Sequence, residues 1–320
     1  MGDPEVEKFA EKHHLSHLTL IAFKNDTTVY KADCFNRPVI LKTHKKSLNY
    51  YREITSLSLL RGKNVRVPAL LYCEMMEEDN EETGYLIEEF LQGNQLSEDF
   101  WKYTEGEKER VLYQAGEIMG MLNFSVPQKD ILDCSLWRYA YEGITDFSSY
   151  NWIQIYLGSI QEWIDTVKKS KLLTAGLKQK IEFQGNLLQD RLYSFSENGT
   201  VGFVHRDYGF RNILVDHEKV AGIIDFEHAV LGDVTFDLSK IIFNDIDFER
   251  DKRLRNAFFE GWTGYTGYKI DWERLWLYLA IQGLGAIQWV ENQRDYLIRI
   301  KNRSYMEKGI RILDQASRNI

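Results

Sequence analysis

The chain has 320 residues, a net charge of −8, and 44% apolar against 28% charged side chains, enough for two lobes or two modest domains around a real core. An aromatic content of 13% argues against disorder, and a pI near 5.5 leaves no global basic field for nucleic acid or an anionic membrane surface. Three scattered cysteines, Cys34, Cys73 and Cys134, lack any CxxC or Cys/His spacing, which disfavours a disulfide framework or a zinc site.

Met1–Glu11 carries acids and no apolar stretch of signal-peptide type, and no run of about 18 apolar residues suggests a membrane span. The expectation is a cytoplasmic protein with reduced thiols. From there, Leu18–Phe23, Thr28–Asp33 and Val39–Thr43 read as strands separated by polar turns. Leu48–Arg61 reads as a helix with Gly62 at its stop position and Pro68 beyond. Ala69–Met75 and Tyr85–Phe90 are two further strands, with the acidic Glu77–Glu82 as a solvated hairpin tip. After Gly93, apolar residues recur at helical spacing over Glu107–Asn123, Ser149–Ser170 and Thr174–Arg191. A β-rich island, Gly202–Val204, Ile213–Val215 and Val220–Ile224, interrupts the helices, which resume from Asp237 with an apolar core segment at Trp272–Val290. The expected architecture is α+β and two-lobed, a small antiparallel-sheet lobe over residues 1–91 and a mainly helical lobe over 92–320.

The stretch richest in chemistry is Val204-His205-Arg206-Asp207-Tyr208-Gly209-Phe210-Arg211-Asn212-Ile213, followed by Ile223-Ile224-Asp225-Phe226-Glu227. Both polar clusters issue from apolar strand-like runs that would hold them rigidly. Phosphoryl transfer needs an acid to orient the attacking hydroxyl and oxygen ligands for Mg²⁺ at the phosphates. Asp207 suits the first role, Asn212 and Asp225 the second.

This H-x-D-x-x-x-x-N pattern with its later Asp resembles the protein-kinase-like superfamily, and within it the aminoglycoside phosphotransferase/choline kinase branch. Leu231-Gly232-Asp233-Val234-Thr235-Phe236-Asp237-Leu238 resembles the branch's G-D-P-x-x-D-L continuation. The resemblance implies a two-lobed kinase-like fold that uses Mg²⁺ and ATP or GTP to phosphorylate a hydroxyl of a small acceptor, an aminoglycoside or another hydroxylated amine or sugar. It also implies that Lys42, in Val39-Ile40-Leu41-Lys42, reaches the α/β-phosphates with Glu53 as its partner. Backbone groups around Glu88 and Phe90 would bind the purine, and Ile87 would guard that pocket. Asp233 and Asp237 would brace the catalytic loop or cap the helix after it.

Two departures stand out. The first hairpin, Phe23–Tyr30, has no glycine, so Thr27, Thr28 and nearby amides would have to reach the phosphates. Glu227 replaces the glycine that often follows the Asp-Phe pair, and its role is open between metal ligand, substrate contact and solvated turn. Leu231-Gly232-Asp233 follows Asp225 within eight residues, which leaves little room for a protein-substrate platform and favours a small-molecule acceptor. The acidic balance, with Glu227, Asp245, Asp247, Glu249 and Glu291 as candidate acids, favours a neutral or cationic one. The alternative is a nucleotide-binding pseudokinase with a structural or regulatory role; no nucleic-acid or membrane partner is expected, and oligomeric state is open.

Overall fold

The computed structural model describes residues 3–24, 26–78, 81–127, 129–130, 153, 156–195 and 199–320. The first element is a helix that the sequence reading did not anticipate. Asp3 accepts the Glu5 N–H at 3.1 Å and Pro4 takes the first helical position, starting α1 (Pro4–Lys12). Val6, Phe9 and Ala10, spaced three and four apart, form its buried stripe.

Five strands follow: β1 (Leu15–Lys24), β2 (Thr27–Cys34), β3 (Arg37–His44), β4 (Leu70–Glu78) and β5 (Glu81–Glu89). They form one antiparallel sheet in the order β1-β2-β3-β5-β4, with α2 (Ser47–Leu60) inserted after β3. Gly62, at φ +74°, ends the turn after α2 in a conformation glycine adopts freely. β4 and β5 run further into the acidic stretch than composition suggests, because the ladder carries on through Glu77↔Glu82 and Glu78↔Glu81. Strand alternation gives the sheet two different faces. Val39, Leu41, Tyr85 and Ile87 pack with α1, whereas Leu86 packs with Tyr50 and Ile54 of α2. α2 approaches this second face so closely that a Cβ on Gly84 would lie 2.3 Å from the Tyr50 ring.

Beyond the sheet, β6 (Asn94–Gln95), α3 (Leu96–Asp99) and a 3₁₀ turn (Phe100–Lys102) lead into α4 (Glu105–Phe124), which a Thr104–Glu107 capping box starts. The helix expected from Ser149 begins outside the described residues, as does Cys134; α5 is described over Leu157–Lys169, followed by α6 (Ala175–Ser194). Next come β7 (Val201–Val204), β8 (Ile213–Asp216), β9 (Lys219–Ile223) and β10 (Val230–Asp233). β8 pairs with β9 and β6, and β7 pairs with β10, a strand absent from the sequence reading. The chain closes with α7 (Thr235–Asn244), α8 (Lys252–Thr266), α9 (Trp272–Glu291), α10 (Tyr296–Lys301) and α11 (Arg303–Ala316). α4 and α8 meet at two glycines: a Cβ on Gly116 would lie 2.0 Å from the Phe258 carbonyl oxygen, and one on Gly261 1.9 Å from that of Tyr113. Among the described residues, no helix is long and apolar enough to cross a membrane.

Candidate active site

The loop between β7 and β8 carries His205 to Asn212, and buried polar groups hold its backbone. Asp237, in the first turn of α7, accepts the N–H groups of His205 and Arg206, each at 2.8 Å. Asn123 of α4 donates to Asp237 at 3.4 Å and to the Phe203 carbonyl at 2.8 Å. His205 bridges onward, its Nε2 lying 3.0 Å from the Ile224 carbonyl and its Nδ1 accepting the Asp207 N–H at 3.2 Å. Asp237 thus braces the loop. Asp233 instead accepts the Thr235 N–H at the start of α7 and pairs with the buried Arg274 at 2.9 Å.

This frame brings Asp207, Asn212 and Asp225 together. Asn212 donates from Nδ2 to Asp207 Oδ2 at 3.0 Å and to the Asp207 carbonyl at 2.8 Å. Its own carbonyl accepts the Ile224 N–H at 3.0 Å, tying it to the residue before Asp225. Arg206 and Asp225 both have left-handed backbones, φ +64° and +70°, of the kind that rigid surroundings impose at functional sites. Burial alone would raise the Asp225 pKa, but the ammonium groups of Lys42 and Lys24 hold it well below the usual carboxylate range. Lys24 Nζ lies 2.8 Å from Asp225 Oδ2, so a positive charge already sits beside this carboxylate.

On the sheet side, Lys42 is 5% exposed, with Nζ 2.5 Å from Glu53 Oε1 and 3.0 Å from Glu88 Oε1. Burial opposes an ammonium here, yet the two carboxylates raise the Lys42 pKa well above its ordinary value. Burial would also raise that of Glu53, but Lys42 and a hydrogen bond from His44 lower it to about 2. Glu88 behaves oppositely. Burial, with the Glu53 charge nearby, outweighs the attraction of Lys42 and pushes it up to about 7. Its Oε2 is buried and has no hydrogen-bond partner among the described residues.

Strand alternation corrects two expected contacts. Ile87 pairs with Leu41 and packs against α1, on the face turned away from Lys42, so it does not guard a pocket beside that lysine; the side chain on the Lys42 face is Glu88. Thr28 pairs with Thr43 and takes the same far face, whereas Thr27 pairs with His44 on the near one. Thr27 is buried and donates to Glu227 Oε2 at 2.7 Å. Glu227 also lies 3.5 Å from His44 Nδ1 and 3.4 Å from Asn49 Nδ2. It is therefore not a solvated turn residue but a buried link from the catalytic segment to the sheet. Phe90 follows the last β3–β5 pair, Val39↔Glu89, leaving the chain beyond it free of that ladder.

Between these groups and the helices lies a cleft of about 1050 Å³. Asp207, Asn212, Thr27 and Glu227 line its inner end, and Tyr156, Trp163, Phe236, Trp289 and Tyr305 line its walls. Asp245, which also lines it, accepts the Phe210 N–H at 3.0 Å, and burial raises its pKa to about 6. The other expected acids are engaged elsewhere. Asp247 caps the Glu249 and Arg250 amides, while Glu291 is buried against Ser170 and lies 3.8 Å from Arg299.

The sequence reading missed Lys24, His44 and Lys240. His44 had a legible signal, since it lies two residues from Lys42 on one strand and so shares its face. Lys24 and Lys240 had none; Lys240 comes 3.4 Å from Asp207 Oδ1 only because α7 packs beneath the loop.

A small antiparallel sheet, a buried Lys–Glu pair and a braced Asp/Asn loop facing a second Asp define a kinase-type phosphotransferase. The model of the phosphotransferase enzyme family matches residues 17–278, and the chain belongs to that family. Similar solved structures include a thermostable mutant of aminoglycoside phosphotransferase APH(4)-Ia with AMP-PNP and hygromycin B, 17% identical, TM-score 0.67, with 98% of each chain covered. The streptomycin–ATP complex of APH(2")-IIa is 17% identical, TM-score 0.65, over 96% of each chain. A microcompartment-associated aminopropanol kinase is 16% identical, TM-score 0.70, over 98% of this chain and 97% of its own. No curated protein matches the chain in sequence.

Proposed function

We propose that the protein transfers the γ-phosphate of ATP or GTP to a hydroxyl of a small molecule with the help of Mg²⁺. The observation that carries this reading is the position of Asp207: its carboxylate borders the open cleft while its oxygens are fixed by Asn212 and approached by Lys240. The division of labour is then a nucleotide lobe over residues 1–91 and an acceptor lobe over 92–320. Lys42, positioned by Glu53, holds the α/β-phosphates, and backbone groups near Phe90, past the end of the ladder, face the purine. Thr27 contributes indirectly, through its bond to Glu227.

The metal-type donors fit. The Asn212 amide nitrogen is committed to Asp207, which leaves its Oδ1, and Asp225 is held as a carboxylate with a cation already beside it. This hard-oxygen set suits Mg²⁺, which when bound offsets charge on the β- and γ-phosphates. Asp207 orients the acceptor hydroxyl and takes its proton as the new O–P bond forms. The bond from the γ-phosphorus to the bridging oxygen breaks, its electron pair leaves with the nucleoside diphosphate, and the proton passes from Asp207 to water. The relatives named above suggest a hydroxylated amine or sugar as acceptor. A pseudokinase would have no chemical need for a base and a metal-type ligand, Asp207 and Asn212, on one cleft, with the Asp225 segment tied to Asn212.

The test is nucleotide turnover with γ-labelled ATP and GTP against panels of small hydroxyl compounds and of generic protein substrates. Label on a small molecule, with kcat reduced roughly 10²–10⁴-fold by Asp207→Asn and nucleotide affinity held within a few-fold, is the expected result. Label on protein hydroxyls alone, or near-normal kcat in Asp207→Asn, refutes it.

A further inference from the structure

The acceptor cleft has a charge pattern that the acidic composition of the chain does not foretell. Arg206 stands at φ +64°, where an arginine meets a steric cost that glycine avoids. Its side chain is not needed to hold the loop, because Asp237 does so through the Arg206 backbone N–H. The guanidinium lies 5.8 Å from the centroid of the Phe236 ring, on the cleft wall, and no carboxylate among the described residues pairs with it. Arg211, five residues on, lines the same cleft, is exposed, and forms no salt bridge with a described carboxylate, although its charge acts on Asp245.

The acids of the cleft are committed. Asp207 accepts from Asn212 and faces Lys240, Asp26 pairs with Lys46 at 2.5 Å, Glu227 is bound by Thr27, and Asp245 accepts the Phe210 N–H. A polycation entering the cleft would find few uncommitted carboxylates, whereas an anion would find two guanidinium groups that form no salt bridge among the described residues. A guanidinium presents a planar fork of donors that matches a carboxylate or phosphate in two parallel hydrogen bonds.

From this we infer that the acceptor carries an anionic group, a carboxylate or phosphate, besides its hydroxyl, and that Arg206 and Arg211 hold that group. The inference rests on the kinase reading above and narrows its small-molecule acceptor to hydroxy acids, hydroxy amino acids or phosphorylated polyols, in place of the uncharged or cationic amine or sugar that the relatives suggest. Cationic side chains here also offset the repulsion between such an acceptor and the γ-phosphate. Aromatic walls then contact the carbon skeleton.

Two measurements separate this inference from the reading beneath it. The first is isothermal titration of the protein with gluconate, a hydroxy amino acid and glycerol phosphate, each paired with its uncharged or decarboxylated counterpart. The expected result is tighter binding of at least one anionic member than of its counterpart, weakened roughly tenfold or more by Arg206→Gly and by Arg211→Gln. Which member binds distinguishes carboxylate from phosphate. Arg206→Gly suits the left-handed backbone, so its melting temperature should not fall, and lost binding is then not lost folding. Equal binding of every charged and uncharged pair, or anion binding unchanged in both variants, overturns the inference. The second measurement is turnover of the same panel with ATP. The KM of the anionic acceptor should rise in Arg206→Gly with the affinity for an ATP analogue unchanged; an effect on the nucleotide alone also overturns it. Anion binding through both arginines with no acceptor phosphorylated keeps the subsite and removes the kinase reading.

Discussion

Replacing Lys42 by methionine tests the buried charge cluster directly. Lys42 Nζ is the ammonium shared by Glu53 and Glu88, both almost inaccessible to water. Without it, Glu53 keeps His44 Nε2 at 2.8 Å, but Glu88 is left with no partner among the described residues. Breaking one side of a buried ion pair costs about 3–5 kcal/mol, a large share of the ~5–15 kcal/mol that stabilises a typical domain. The pH dependence has a definite sign. Glu88 titrates at about 7 in the fold, above the ordinary value for a glutamate, so between the two the folded chain binds more protons than the unfolded chain. Its contribution to stability therefore falls as pH rises through about 7, and the loss of Lys42 exaggerates that fall. Urea denaturation of Lys42→Met should show the full penalty at about pH 8 and a smaller one at about pH 5.5. Adding Glu88→Met should recover most of it, because the orphaned carboxylate is then gone. A loss below about 1 kcal/mol at the higher pH, or no recovery in the double variant, would refute the argument.

The other predictions address the metal-type site and the helix packing. Asp225→Asn and Asn212→Ala should each raise the Mg²⁺ concentration needed for turnover, Asp225→Asn more because it removes charge; a Mg²⁺ titration of Asp225→Asn that overlays the parent's would exclude Asp225 as a ligand. Gly261→Ala drives a methyl group into the Tyr113 carbonyl, 1.9 Å from the ideal Cβ, and should cost about 1–3 kcal/mol or more in urea denaturation. Gly158→Ala, where nothing among the described residues lies within 4 Å, serves as its control and should be neutral or slightly stabilising.

Much of the fold was legible because its signals are local. Alternation and turn residues marked the five strands of the sheet, and Gly62 marked the end of α2. The His205–Asn212 segment and Asp225 stood out because their chemistry lies in short motifs between apolar strands. Strand β10 was not legible, since Val230–Asp233 is only four residues long and gains its conformation from pairing with β7. α1 was legible in principle, as Asp3-Pro4 followed by Glu5 and Glu7 is a helix start.

What the sequence alone determined is the set of reactive groups and the approximate order of the elements that carry them, because residue type, spacing and local propensity are properties of the chain itself. The tertiary structure decided which face each group occupies and which charges meet. Strand register turned Ile87 and Thr28 away from Lys42 and brought Glu88 and His44 to it. Packing of distant segments placed Lys24 on Asp225, Lys240 beside Asp207, and Glu227 against Thr27, pairs 201, 33 and 200 residues apart. The net charge of −8 likewise suggested a cleft hospitable to cations, yet the acids at that cleft accept hydrogen bonds or pair with lysines, while Arg206 and Arg211 form no salt bridge among the described residues. Coulomb interactions fall off with distance and depend on burial, so only the folded arrangement sets the local sign of charge.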